Sequence, residues 1–138
     1  MFAPAEENRR SRPPTRRHGK WYLAVYWLCL LLLTHWPNLS PIRGEPQHLD
    51  KLVHFTLYCV LSGLAAAAFT SPGSPTAKRR MLAVLLVAIA FGLVDETTQP
   101  FTGRDFDWWD WLADILGATT GVLALGAWRR RQTSEYLG

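Results

Sequence analysis

The sequence predicts an all-α membrane protein, a bundle of four short transmembrane helices with both termini in the cytoplasm. Three observations predict this class: four apolar segments alternate with polar stretches, the basic residues are sorted to one set of segment ends, and tryptophans stand at the segment boundaries. The 138 residues, with a formal net charge of +4, are enough for one domain.

The apolar segments set the expected domain organisation. We expect helices at about residues 21–36, 50–70, 79–98 and 109–128, which together form one domain over residues 21–128. Each apolar run is short against the roughly 20 residues that a spanning helix needs, so length alone would also allow buried soluble helices. Residues 1–20, rich in arginine and proline, predict a disordered cytoplasmic tail, and residues 129–138 a second basic tail.

The distribution of basic residues favours the membrane over a soluble bundle. If the four segments cross in turn, one side receives 12 of the 15 lysines and arginines, and only Arg43, Lys51 and Arg104 remain on the other. Cytoplasmic loops carry such an excess, whereas a soluble bundle has no reason to sort its charges. Tryptophans near both expected interfaces fit aromatic belts: Trp21, Trp36, Trp108, Trp109, Trp111 and Trp128.

Two compositional features limit the partners. The basic tail lies next to an apolar run, which favours a flank facing anionic lipid, and we expect no nucleic-acid partner. Cys29 and Cys59 both lie inside apolar runs, which predicts buried free thiols rather than a disulfide framework.

One stretch, residues 93–117 (LVDETTQPFTGRDFDWWDWLADILG), carries six of the 11 acidic residues. On the fourth helix Asp110 and Asp114 share a face and repel each other, so they need a cation, a metal or a shared proton. Arg104 is the first candidate partner, because its planar group can hold two carboxylate oxygens, and Lys51 and His54 are the others.

Two other helices bring polar side chains to the same side. Asp50 and His54 lie four residues apart on one face, with Tyr58 one turn further along. An ionisable residue one turn inside an apolar helix usually faces the bundle interior, whereas Asp50, near the helix start, also fits a capping residue. Glu96 and Gln99 share a face at the end of the third helix.

Two glycines continue the stripe of acids along the fourth helix. Gly117 and Gly121 form a G-x-x-x-G pair, which lets a neighbouring helix approach closely, and we expect them to serve helix packing.

Two blocks within residues 49–125 resemble the VanZ-like family of small bacterial membrane proteins. LDKLVHFTLYCVL is similar to the family's D-K-x-x-H-F-x-x-Y helix opening. VDETTQPFTGRDFDWWDWLADILGATTG is similar to its D-E-x-x-Q, then G-R, then an aspartate with a polar residue four positions on and two spaced glycines. The family often has Pro where this chain has Thr102, and usually Asn where it has Asp114. The resemblance implies a polar site formed by nine residues: Asp50, Lys51, His54, Tyr58, Glu96, Gln99, Arg104, Asp110 and Asp114.

The resemblance also implies an envelope role, because the family is named for a factor in resistance to the glycopeptide antibiotic teicoplanin. The first function that fits is binding, or helping to process, a lipid-linked envelope component at the extracytoplasmic face of the cell membrane. Arg104, with His54 and Lys51, would hold its phosphate or carboxylate. Membrane lipid is then the expected partner, and a lipid-linked envelope precursor the expected ligand.

Three alternatives stay open. The ionic cluster could only pin the helices of a scaffold or assembly factor. An interfacial enzyme could use the carboxylates and histidine, although the chain has no nucleophile elbow and no H-E-x-x-H. A proton-coupled transporter is less favoured, because the acids lie at one end and not at the midplane. A divalent metal is the one candidate cofactor, with His54, Glu96, Asp110 and Asp114 as candidate ligands.

Overall fold

The computed structural model of the chain describes residues 15–35 and 47–135, which form four α-helices and no strand. These are α1 (Thr15–Thr34), α2 (Gln47–Phe69), α3 (Ala77–Thr98) and α4 (Trp108–Glu135), and a short 3-10 helix, Gln99–Thr102, continues α3. The expected all-α class is therefore confirmed for the described ranges. Most of the basic N-terminal tail, the end of the C-terminal tail, Trp36 and Arg43 lie outside the described residues.

Two helices extend further into the basic flanks than expected. The first begins at Thr15 rather than at residue 21, and the last continues to Glu135 rather than ending at 128. Arginine and lysine are good helix formers, and adding residues to a helix already nucleated by an apolar segment is favourable. Part of the stretch that composition assigns to a disordered tail is therefore helical.

Three helices are long and apolar enough to cross a membrane: His48–Phe69, Ala77–Thr102 and Trp108–Ser134. The apolar part of α1, Gly19–Thr34, is shorter, and its crossing stays a prediction. Among the described residues nine polar or charged side chains are buried, compared with eight apolar ones. Large apolar side chains such as Leu82, Val87 and Leu123 are exposed instead. Apolar surface outside and polar groups inside is the arrangement that lipid favours, so the chain is a membrane protein.

Successive helices run in opposite directions, which gives the bundle two different ends. The polar end, as we name it, contains the ends of α1 and α3 and the starts of α2 and α4, as the contacts of Arg104 with Thr34 and of Lys51 with Asp110 show. The basic end contains the opposite termini, where Arg129 bonds the Thr70 hydroxyl. Between them the core is formed by Leu30, Tyr58, Leu61, Ala88 and Ala118.

The most extensive helix pair is α2 with α4, and it depends on two glycines. A Cβ added at Gly117 would collide with the backbone carbonyl of Phe55, and one added at Gly121 with that of Cys59. The two backbones therefore approach more closely than any side chain at these positions would allow.

The turn between α3 and α4 is defined by two residues. Gly103 ends the 3-10 helix with φ 83°, a left-handed conformation that favours glycine. Asp107 then caps α4, since its Oδ1 accepts the N–H of Trp109 at 2.8 Å. Together they place Arg104 and Asp107 over the polar end.

Both cysteines are free thiols, as the sequence predicts. The expectation that both are buried is wrong, because Cys29 is exposed on α1 and Cys59 is only half-buried on α2. An apolar run in a membrane helix covers all faces, so hydrophobicity alone does not distinguish the lipid-facing side from the core.

Candidate functional site

A buried triad from three helices lies at the centre of the polar end: His54 of α2, Glu96 of α3 and Asp114 of α4. His54 Nδ1 lies 3.0 Å from Asp114 Oδ1 and 3.6 Å from Glu96 Oε1. All three side chains are at most 2% exposed. Since an ionised carboxylate only accepts hydrogen bonds, the short contact requires the proton on Nδ1.

Both oxygens of Glu96 have further partners. Gln99 donates from Nε2 to Oε1 at 2.9 Å, and the backbone N–H of Asp107 donates to Oε2 at 3.3 Å. Gln99 lies one turn after Glu96 on α3, as their spacing predicts, whereas the bond from Asp107 joins the α3–α4 turn to the triad.

Lys51 neutralises the acids at the start of α4. Its Nζ donates to Asp107 Oδ2 at 2.8 Å and to Asp110 Oδ1 at 3.1 Å. Partial burial raises the pKa of Asp107, but the bonds from Lys51 and from the Trp109 N–H lower it, so the pKa of this carboxyl lies below its ordinary value. Asp107 is therefore half-buried and paired, whereas Asp105 is exposed.

Arg104 has a different partner from the one the sequence favours. It donates to both oxygens of Asp50 at 3.4 Å and to the backbone carbonyl of Thr34 at 3.3 Å, not to Asp110 or Asp114. The turn after α3 directs the guanidinium towards the start of α2 and the end of α1. The two acids on α4 are paired instead with Lys51 and His54, the other candidates that the sequence offered.

Asp95 is a further buried acid, and it was not among the site residues expected from the sequence. Its Oδ1 accepts the Thr34 hydroxyl at 3.0 Å and lies 3.5 Å from His35 Nδ1, while His35 Nε2 lies 2.9 Å from the Thr98 hydroxyl. These contacts join the end of α1 to α3. The signals were its place as the first residue of the D-E-x-x-Q pattern and its position beside Glu96 after an apolar run.

Three buried polar atoms in the described part of the chain have no hydrogen-bond partner: the Tyr58 hydroxyl, Asp95 Oδ2 and Asp114 Oδ2. Gly92 packs beside two of these side chains, because a Cβ added there would lie 3.0 Å from Asp114 Oδ2 and 3.3 Å from Tyr58 Cε1. Two buried carboxylate oxygens thus have unused acceptor capacity, which is costly away from water.

Two sets of side chains have the spacing of metal ligands. One is His54, Glu96 and Asp114, and the other is Asp50, His54 and Asp110, with ligand atoms within 4.8 Å of one another in each set. One imidazole with two carboxylates suits a divalent transition ion such as Mn²⁺. A metal on Nδ1 would displace the proton that now bridges His54 and Asp114.

Comparison with known proteins gives a family match. The family described as VanZ/LLP1 matches residues 12–129, which include α1, α2, α3, most of α4 and every residue of the polar end described above. No curated protein and no solved structure matches the chain.

Proposed function

Because the chain belongs to the VanZ/LLP1 family and has three helices able to span a membrane, we propose that it binds, or helps to process, a lipid-linked component of the bacterial cell envelope. The polar end is the proposed binding site. Arg104, Lys51 and the triad lie together there, and exposed Trp108 and Trp109 lie at the start of α4, where they can contact lipid headgroups.

We further propose that the polar end faces the extracytoplasmic side of the cell membrane. The sorting of charge supports this orientation. The basic end carries Lys20, Arg80 and Arg129 to Arg131, and basic residues mark the cytoplasmic side. An envelope component attached to lipid would then meet the polar end at the membrane surface.

The ion pairs change how an anionic headgroup would be held. Lys51, His54 and Arg104 are each already paired with a carboxylate. Within the described residues seven carboxylates stand at this end of the bundle, and a phosphate approaching them directly would be repelled. The acids are Asp50, Asp95, Glu96, Asp105, Asp107, Asp110 and Asp114.

A divalent cation resolves this conflict, and we place it on His54, Glu96 and Asp114. The observation that carries the proposal is the buried Asp114 Oδ2, which has no partner in a triad already spaced as metal ligands. Such a cation would offset the excess of acids and offer the positive charge that a lipid phosphate needs.

The test is metal and lipid binding by the full-length protein purified in mild detergent. We expect the wild type to bind Mn²⁺ in calorimetry and to retain undecaprenyl phosphate in native mass spectrometry, with the lipid lost on addition of EDTA. Glu96→Gln should lose both ligands, because the amide is a much weaker metal ligand. Asp105→Asn removes an exposed carboxylate outside the triad and should retain both.

A folded wild-type protein that binds neither Mn²⁺ nor the lipid phosphate would overturn the proposal. Retention of the lipid in EDTA would keep the binding role and remove the metal from it. Release of inorganic phosphate from the bound lipid, measured in the same samples, would support the enzyme alternative.

A scaffold is the second candidate, and a specific observation favours it. The polar contacts join all four helices, since Lys51 and His54 connect α2 to α4, His54 approaches Glu96 of α3, and Arg104 reaches the end of α1. Under this alternative a variant of the triad loses stability, but its ligand binding does not change. Measuring stability and ligand binding in the same samples distinguishes the two candidates.

A further inference from the structure

An apolar groove opens between α1 and α3 and is closed behind by α2. Its volume is about 670 Å³, within the range of roughly 300–1,000 Å³ typical of small-molecule sites. The walls are almost entirely apolar and include Leu23, Trp27, Leu61, Ala83, Val87 and Phe91. The groove lies along the membrane-crossing part of the helices and is distinct from the polar end.

Two cations stand where the groove reaches the basic end. Lys20 Nζ lies 5.7 Å from the centroid of the Phe69 ring, and Arg80 donates to the backbone carbonyl of Phe69 at 3.3 Å. Both line the groove, and both side chains are exposed. Within the described ranges neither has a carboxylate partner, in contrast to Lys51 and Arg104 at the other end.

We propose that this groove is a binding site for an anionic phospholipid, with an acyl chain between α1 and α3 and the phosphate between Lys20 and Arg80. An apolar channel that ends at two unpaired cations matches a molecule with a long apolar tail and an anionic head. The depth of the two cations in the membrane also fits such a lipid, because basic side chains at the end of a membrane helix lie at the depth of lipid phosphates. This site is separate from the proposed envelope-lipid site and does not depend on it.

The contacts of Phe69 explain how the two cations are held close together. Its backbone carbonyl, at the end of α2, accepts Arg80 from α3, and its ring attracts Lys20 from α1. One residue thus contacts positive charges from two different helices, and under the proposal a single phosphate contacts both.

The experiment is native mass spectrometry of the full chain with equimolar palmitoyl-oleoyl phosphatidylglycerol and palmitoyl-oleoyl phosphatidylcholine. We expect the wild type to retain the anionic lipid in preference. The double variant Lys20→Gln/Arg80→Gln should lower that preference about thirtyfold, the effect expected when two basic contacts at a lipid surface are lost.

The matched control is Lys78→Gln/Arg79→Gln, which removes the same charge from the start of α3, beside Arg80 but outside the groove. It should leave the preference unchanged. A second pair of variants tests binding of the acyl chain. Ala83→Phe fills the groove and should lower retention of both lipids. Leu82→Phe adds the same ring on the exposed face beside the groove and should leave retention unchanged.

Three results would overturn the proposal. One is a folded Lys20→Gln/Arg80→Gln variant, judged by its circular dichroism, with wild-type preference. Another is an equal loss of preference in the Lys78→Gln/Arg79→Gln control. The third is a dimer of the chain that Ala83→Phe abolishes, which would assign the groove to a second copy of the protein.

Discussion

His54 donates from Nδ1 towards two carboxylates that are themselves completely buried, so the polar end depends on it for charge balance. Removal of one partner from a buried ionic cluster leaves charge uncompensated and costs about 3–5 kcal/mol. We expect His54→Ala to lower the thermal unfolding midpoint of the metal-free protein in detergent strongly.

His48→Ala is the matched control, since His48 is an exposed histidine in the first turn of the same helix. It should change the midpoint little. Equal midpoints for the two variants would mean that His54 does not offset the buried acids, and the metal assignment would lose its central ligand.

The contact between Asp107 and Lys51 should make stability depend on pH in the acid range. The pKa of Asp107 lies below its ordinary value of about 3.9, so the folded state gains from the ionised form above that pH and loses the gain as pH falls through the lower pKa. Asp107→Asn removes the charge and keeps a good helix cap.

Unfolding midpoints measured against pH test this dependence. The wild type should be more stable than Asp107→Asn at pH about 7, and the gap should close towards pH about 3, below the ordinary aspartate pKa. Asp105→Asn, at an exposed carboxylate, should show no such gap. A gap that widens in acid would contradict the assigned ion pair.

For individual residues, the sequence indicates which side chains share a helix face better than it indicates which side chains pair with each other. Asp110 and Asp114, or Asp50 and His54, share a face by helical spacing alone, which is local information. The partner of Arg104 depends on how the helices are rotated and where the turn ends, and no spacing rule contains this. Asp95 was missed because its partners, Thr34 and His35, looked like the end of an apolar run.

Among the helices, the close contact between α2 and α4 can be tested directly by substitution. A Cβ at Gly117 would collide with the Phe55 carbonyl, so Gly117→Ala must separate the two backbones. Such overpacking typically costs about 1–3 kcal/mol. We expect a clear loss in the unfolding midpoint and, because Asp114 lies one turn away, weaker retention of any ligand at the triad.

Gly126→Ala provides the comparison on the same helix. Its added Cβ would meet nothing closer than Met81 Cε at 3.9 Å, and alanine favours a helix by up to about 1 kcal/mol over glycine. This variant should be as stable as the wild type or more so. If both alanines are tolerated equally, the close approach of α2 and α4 is wrong.

The sequence predicts that the four helices exist, but it does not predict where α1 begins or where α4 ends. Four apolar runs separated by polar stretches indicate four helices. The early start of α1 and the late end of α4 arise from basic residues that are polar in composition but helical in preference. Composition therefore assigned them to tails.

For the whole molecule, the two ends differ in charge in the way that membrane orientation requires. The polar end holds its cations in pairs with acids, while Lys20 and Arg80 at the basic end have no carboxylate partner among the described residues. Both proposed lipid sites depend on this asymmetry, since one needs an acid-rich surface for a metal and the other needs exposed positive charge. Orientation is thus the property that the two proposals share.

Labelling of single cysteines in intact cells tests that orientation. In a background of Cys29→Ala and Cys59→Ala, Asp105→Cys places a thiol on the exposed turn of the polar end, and Pro75→Cys places one on the exposed turn of the basic end. A membrane-impermeant maleimide should label the first in intact cells and the second only after lysis, because basic ends stay in the cytoplasm. The reverse pattern would put the polar end inside the cell, where no externally facing envelope component could reach it. Labelling of both thiols in intact cells would contradict a membrane crossing by α3, the helix that separates the two turns.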